Sequence, residues 1–227
     1  NPAFIHGGPF ANIAHGNSSV IADRIALGAA DIVVTEAGFG SDMGAEKFMH
    51  IKAANSGKSP DCVVMNVTVR SMKLHGGAFG DRGGYRPTPE ELATENVEAV
   101  IIGATGNLDR HIRNMAGFGM PVVVSINRFS TDTDAELAAL GDAARASGAT
   151  EVTICEVHAK GGAGGEQLAK AVVSAVQDHV AAGRPFTPLF MPDATIREKI
   201  DSIATRIYKA DRVRIELSAA KQLAQIE

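Results

Sequence analysis

Pro121-Val122-Val123-Val124-Ser125-Ile126 is the stretch on which the fold turns. It is β-branched and apolar at odd and even positions alike. Successive strand residues point to opposite faces, so such a run is buried on both sides, as in a parallel sheet covered by helices. Working outward, residues 134–145 form an Ala/Leu helical pattern that Gly148 ends, and residues 152–157 form the next strand. Residues 166–180 follow as a helix whose stripe is Leu168, Ala171, Val172, Ala175, Val176 and His179. Toward the N-terminus, residues 108–116 read as a helix, and residues 97–102 are too short a run to assign to helix or strand. Residues 62–68 and 31–35 read as further strands, the latter preceded by a helix over about 18–27 that Gly28 stops. Thr195-Ile196-Arg197-Glu198 is a capping box opening a helix with Ile196, Ile200, Ile203 and Ile207 on its apolar face. Strands alternating with helices predict an α/β fold, a mostly parallel sheet with helices on both faces. The Gly-rich residues 73–89 lack periodicity and are expected to be a loop.

Composition narrows the function classes. The 227 residues hold 22 basic and 26 acidic side chains, a net charge of −4 with no basic cluster, which argues against nucleic acid as a partner. No apolar run approaches the roughly 18 residues of a membrane span, so no membrane is expected. Cys62 and Cys155 lie far apart in apolar runs and read as buried thiols in a reducing, cytoplasmic compartment. Asn1-Pro2 carries no signal-peptide pattern, and the chain stops at Gln225-Ile226-Glu227 inside a helical pattern. The expectation is a fragment of a longer chain.

Ligands of parallel α/β sheets bind outside the carboxyl ends of the strands. That rule singles out four segments: the residues after Thr35, after Thr68, after Ile126 and after Val157. The last, His158-Ala159-Lys160-Gly161-Gly162-Ala163-Gly164-Gly165, places a lysine and free glycine N–H groups before a helix start, a pattern suited to an anion. Glu166 in the first turn partly fills the same niche, so a plain turn and an anion site are both open. Gly57-Lys58-Ser59 ends like a phosphate-binding loop but lacks its first glycine and precedes a strand, so it reads as a turn. The seven histidines lack ligand-like spacing, and no metal site is expected from them. No residue can be assigned a catalytic step from the pattern.

Four words in order carry a resemblance. They are His6-Gly7-Gly8-Pro9-Phe10-Ala11-Asn12-Ile13-Ala14-His15-Gly16, Glu36-Ala37-Gly38-Phe39-Gly40 running on to Gly44-Ala45-Glu46-Lys47-Phe48, residues 70–77, and Ala159-Lys160-Gly161-Gly162. Over essentially its whole length the chain resembles the formate–tetrahydrofolate ligases. Of a signature close to V-A-T-[IV]-R-A-L-K-x-[HN]-G-G, Thr68, Val69, Arg70, Lys73, His75, Gly76 and Gly77 agree, whereas Asn66, Val67, Ser71 and Met72 depart.

The resemblance implies a P-loop NTPase-like or Rossmann-like part of a larger multidomain chain. Residues 1–85 would be the remainder of its nucleotide-binding domain, and residues 86–227 a second α/β domain contributing the folate and adenine pocket. It implies ATP-dependent joining of formate to tetrahydrofolate through formyl phosphate, with Mg²⁺ and a monovalent cation as helpers, in a cytoplasmic homotetramer. The family's phosphate-binding loop and acyl-phosphate clamp correspond to positions before residue 1, so this piece is expected to be inactive alone. The family's ring-gripping aromatic cluster falls on Phe39, Phe129, Ser130 and His158. Ser130 stands where proline is usual, and His158 where tryptophan is usual, which reduces stacking area. Arg70, Lys73, His75, Gly76, Gly77 and Lys160 are expected to line the cleft. The alternatives are a folate- or nucleotide-binding module without turnover and a subunit-contact module built on the helices after Ala194.

Overall fold

The structure is a computed structural model that describes residue 3 and residues 17–38, 40–80 and 86–226. In chain order these form α1 (Val20–Ala29), α2 (Ala53–Ser56), β1 (Val63–Val67), α3 (Val69–His75), α4 (Pro89–Ala93), α5 (Val97–Gly103), α6 (Asp109–Ala116) and β2 (Val122–Asn127). There follow α7 (Asp134–Ala146), β3 (Glu151–Cys155), α8 (Val157–Lys160), α9 (Glu166–Ala182), α10 (Ile196–Ser202) and α11 (Leu217–Ile226). The chain divides into two compact units. One comprises Asn1–Ser59 with Thr187–Glu227, the other Pro60–Phe186.

The second unit is built on a parallel sheet of order β1-β2-β3, with Val63 opposite Val122 and Val123 opposite Glu151. β2 is buried at every residue from Val122 to Ile126, Ser125 included, so both faces of the central strand are covered, as apolar residues at odd and even positions require. Helices α6, α7 and α9 contact it. Two glycines set how closely α3 and α5 approach. A Cβ on Gly76 would lie 1.8 Å from the Ala99 carbonyl oxygen, and one on Gly103 would lie 2.1 Å from that of Met72. Backbone meets backbone there, so no side chain fits.

The first unit carries its own small core of Phe48, Met49, Ala53, Leu189 and Ile207. Lys52, buried, pairs with Asp23 at 2.6 Å and lies 4.7 Å from the Phe48 ring centroid. His50 packs on Phe190 with ring centroids 4.9 Å apart, and burial pushes its pKa down to about 4. The Tyr208 hydroxyl donates to the Asp42 carbonyl oxygen at 2.9 Å and lies 3.2 Å from Glu46 Oε2.

Two sequence expectations are corrected, and one left open between helix and strand is resolved. Residues 31–35 form no strand. Ile32 is 57% and Val34 88% exposed, and a β-branched run becomes a strand only where a neighbour supplies the ladder. Residues 97–102 are helical, because the Asn96 side chain accepts from the Ala99 N–H and starts α5. The expected loop over 73–89 begins later, since α3 runs through His75 and is followed by turns at residues 76–79. Gly57, at φ +66°, closes α2, in keeping with a turn. Cys62 and Cys155 are free thiols. Cys155 is buried, and partial burial pushes the Cys62 thiol up to about 11.

Candidate functional site

The carboxyl ends of the three strands are built by local hydrogen bonding. Thr68 ends β1 and caps α3: its Oγ1 accepts from the Ser71 N–H at 3.0 Å, and Ser71 Oγ accepts from the Thr68 N–H at 3.3 Å. The strand therefore turns straight into a helix, and Arg70 lies in its first turn. Past β2, the Arg128 N–H extends the ladder to the Cys155 carbonyl at 3.1 Å. A turn over residues 129–132 follows. The Phe129 N–H donates to Asp132 Oδ2 at 2.8 Å, and the Asp132 N–H returns to the Phe129 carbonyl at 3.0 Å.

These turns bring Arg70 and Phe129 together. The guanidinium carbon lies over the ring, 3.9 Å from its centroid, and Nη2 donates to Thr131 Oγ1 at 3.1 Å. Past β3, α8 begins at once. Glu156 Oε2 accepts from Lys160 Nζ at 2.5 Å, and Glu156 Oε1 lies 3.9 Å from Arg128 Nη1. Arg128 Nη2 also donates to Asp134 Oδ1 at 3.2 Å. The edge is thus a half-buried ring under a cation, beside a chain of ion pairs joining the ends of β2 and β3. The hydrogen bond from Lys160, helped by the nearby Arg128 charge, holds the Glu156 carboxyl below the usual range. Burial raises that of Asp132, only partly offset by the Phe129 N–H and the Arg70 charge.

Of the residues expected to form the site, Arg70, Phe129 and Ser130 lie together at the β1 and β2 ends, with Ser130 exposed in the turn. His158 and Lys160 lie on α8 at the β3 end, both exposed. Lys73 is elsewhere: fully buried, its ammonium lies 2.6 Å from Glu136 Oε1 and donates to the Leu92 and Thr94 carbonyls at 3.1 and 2.8 Å. Its three donors are consumed inside the protein. Burial pushes Glu136 up, but hydrogen bonds from Lys73, Asn96 and Thr133 outweigh it, and the net shift is down. His75, Gly76 and Gly77 lie at the far end of α3, about 9 Å along a seven-residue helix from the strand edge. Phe39 lies outside the described residues.

Sequence reasoning missed Arg128, Thr131, Asp132 and Glu156. All but Glu156 stood inside the segment singled out after Ile126, and Glu156 directly follows Cys155, the last residue of β3. The available signal was their place at a strand end. No described group of three His, Cys, Asp or Glu side chains is placed to hold a metal ion. No described helix is long and apolar enough to cross a membrane.

A parallel three-stranded sheet with helices around it and a charged, ring-bearing carboxyl edge defines an α/β protein of the open-sheet class. Within that class the chain belongs to the formate–tetrahydrofolate ligase family, whose family model matches residues 1–227. It is 49% identical over 227 residues to the formate–tetrahydrofolate ligase of Roseiflexus castenholzii, covering 100% of this chain and 39% of that protein. It is 48% identical over 223 residues to that of Desulforamulus reducens, covering 98% and 38% respectively. For the Allorhizobium ampelinum ligase the identity is 47% over 227 residues, covering 100% and 38%. The chain therefore spans about 38% of the length of the relatives it matches.

Proposed function

We propose that this chain is part of an enzyme that joins formate to tetrahydrofolate with ATP, giving 10-formyltetrahydrofolate through formyl phosphate. In this reading the carboxyl edge of the sheet is the wall on which a flat ring of folate or adenine lies. The observation that carries it is the Phe129 ring, half-buried at the β2 end with Arg70 on it, where α/β sheets take their ligands. The names of the relatives support the reaction. Residues 1–85 are proposed as the remainder of the nucleotide-binding domain and residues 86–227 as a second α/β domain contributing the folate and adenine pocket, with β1 from the first part and β2 and β3 from the second.

Phosphoryl transfer depends on positioning and charge neutralisation. Lys160 is tied to Glu156 and Lys73 is buried on Glu136, so neither is offered as a phosphate clamp. On that ground the piece is proposed to be inactive alone. Mg²⁺ and a monovalent cation are proposed by family membership only. A cytoplasmic homotetramer belongs to the same proposal.

The test is Phe129→Ala in the complete ligase. Loss of stacking should raise the KM for tetrahydrofolate or ATP by about 5–30-fold, equivalent to about 1–2 kcal/mol. Unchanged KM values for both would overturn the pocket assignment. The second reading, binding without turnover, is favoured by one observation: exposed His158 offers less stacking area than the tryptophan usual there. It predicts ligand binding but no ATP-dependent product.

A further inference from the structure

Phe129 is a poor platform unless something fixes its plane, because a half-buried ring at a turn has freedom about two side-chain torsions. The turn itself holds only the backbone, through the pair of hydrogen bonds between Phe129 and Asp132. The ring carries the Arg70 guanidinium, from a different element. The guanidinium lies on it at 3.9 Å and is itself steered by Thr131, from the same turn as the ring. Arg70 Nε is buried with no hydrogen-bond partner among the described residues, so the guanidinium is placed by the ring, by Thr131 and by the nearby Asp132 carboxyl. A planar cation stacked on one face and tethered at its tip sets the tilt of the ring as well as its position.

We infer that Arg70 is a positioning residue: it clamps one face of Phe129 so that the remaining exposed ring surface is presented, pre-oriented, to a flat heteroaromatic ligand. This rests on the proposed function, which makes Phe129 a stacking surface, and adds to it the group that orients that surface. Pre-orientation lowers the entropic cost of stacking, so the effect falls on binding rather than on the chemical step.

The experiment compares Phe129→Leu, Arg70→Met and Arg70→Lys in the complete ligase, reading kcat, the KM values for tetrahydrofolate and ATP, and the melting temperature. Phe129→Leu should raise one of the two KM values, and Arg70→Met should raise the same one by about 3–10-fold while kcat stays within about twofold. Arg70→Lys keeps the charge without the flat fork and should fall between wild type and Arg70→Met. If Phe129→Leu raises a KM and Arg70→Met raises neither, the positioning role is overturned while the pocket stands. If Phe129→Leu itself moves neither KM, the pocket reading fails and takes this inference with it. A drop in kcat and melting temperature in both Arg70 variants, with KM unmoved, would mark Arg70 as structural and also overturn the inference.

Discussion

Lys73 places a full positive charge where no water reaches it, and Glu136 answers it at 2.6 Å. The surrounding hydrogen bonds make the pair tolerable: the Leu92 and Thr94 carbonyls satisfy the ammonium, and the Asn96 and Thr133 N–H groups satisfy the carboxylate. The pair therefore stitches α3 to the end of α4 and to the starts of α5 and α7. Removing one partner strands the other. Lys73→Met should cost about 3–5 kcal/mol in a denaturant titration, and the double variant Lys73→Met with Glu136→Leu should recover part of that loss. Equal cost in the single and double variants would contradict the account. Acid acts on the same residue. The folded state holds Glu136 below its ordinary 4.5, so its stabilisation is present above that pH and is lost as pH falls through 4.5 toward the lowered folded value. Glu136→Gln should flatten that part of the stability–pH curve.

Among elements, α3 and α5 cross with backbone against backbone at Gly76 and Gly103. Gly76→Ala and Gly103→Ala would each drive a methyl into a carbonyl oxygen of the facing helix, and should each destabilise by about 1–3 kcal/mol or more. A melting temperature unchanged in both would mean that the helices separate freely. The elements also show what the sequence can and cannot reveal. β1, β2 and β3 were legible because β-branched apolar runs leave few alternatives, and α7 and α9 because their apolar spacing is helical over three or more turns. Residues 31–35 carry the same β-branched signal and form no strand, because pairing depends on a neighbour that local sequence does not contain. The start of α3 was hidden by the Gly-rich tail behind it, although Thr68 and Ser71 already spelled a capping pair. Of the site, the strand-end rule located Arg70 and Phe129, since it needs only the order of elements. It could not reveal that Lys73, three residues beyond Arg70, pairs with Glu136 on a distant helix.

Across the whole molecule, the two units should respond to acid in different windows. In the first unit, burial holds the His50 pKa near 4 against 6.5, so the unfolded chain binds the extra proton first. That contribution to stability is complete above about 6.5 and is lost as pH falls toward 4. His50→Leu should remove this limb from the first unit's stability curve and leave the sheet unit, whose Glu136 responds only below about 4.5, unchanged. Hydrogen exchange followed separately in α2 and β2 across this pH range checks it. A limb that persists in α2 of the variant would contradict the assignment.

Under the proposed function, the carboxyl edge around Phe129 receives a flat ring of folate or adenine. Hydrogen–deuterium exchange on the complete ligase, with and without tetrahydrofolate and ADP, tests it most directly. Exchange should slow over residues 127–132 and 156–161 with at least one of the two ligands. Protection confined to other segments, with these unchanged, would contradict it.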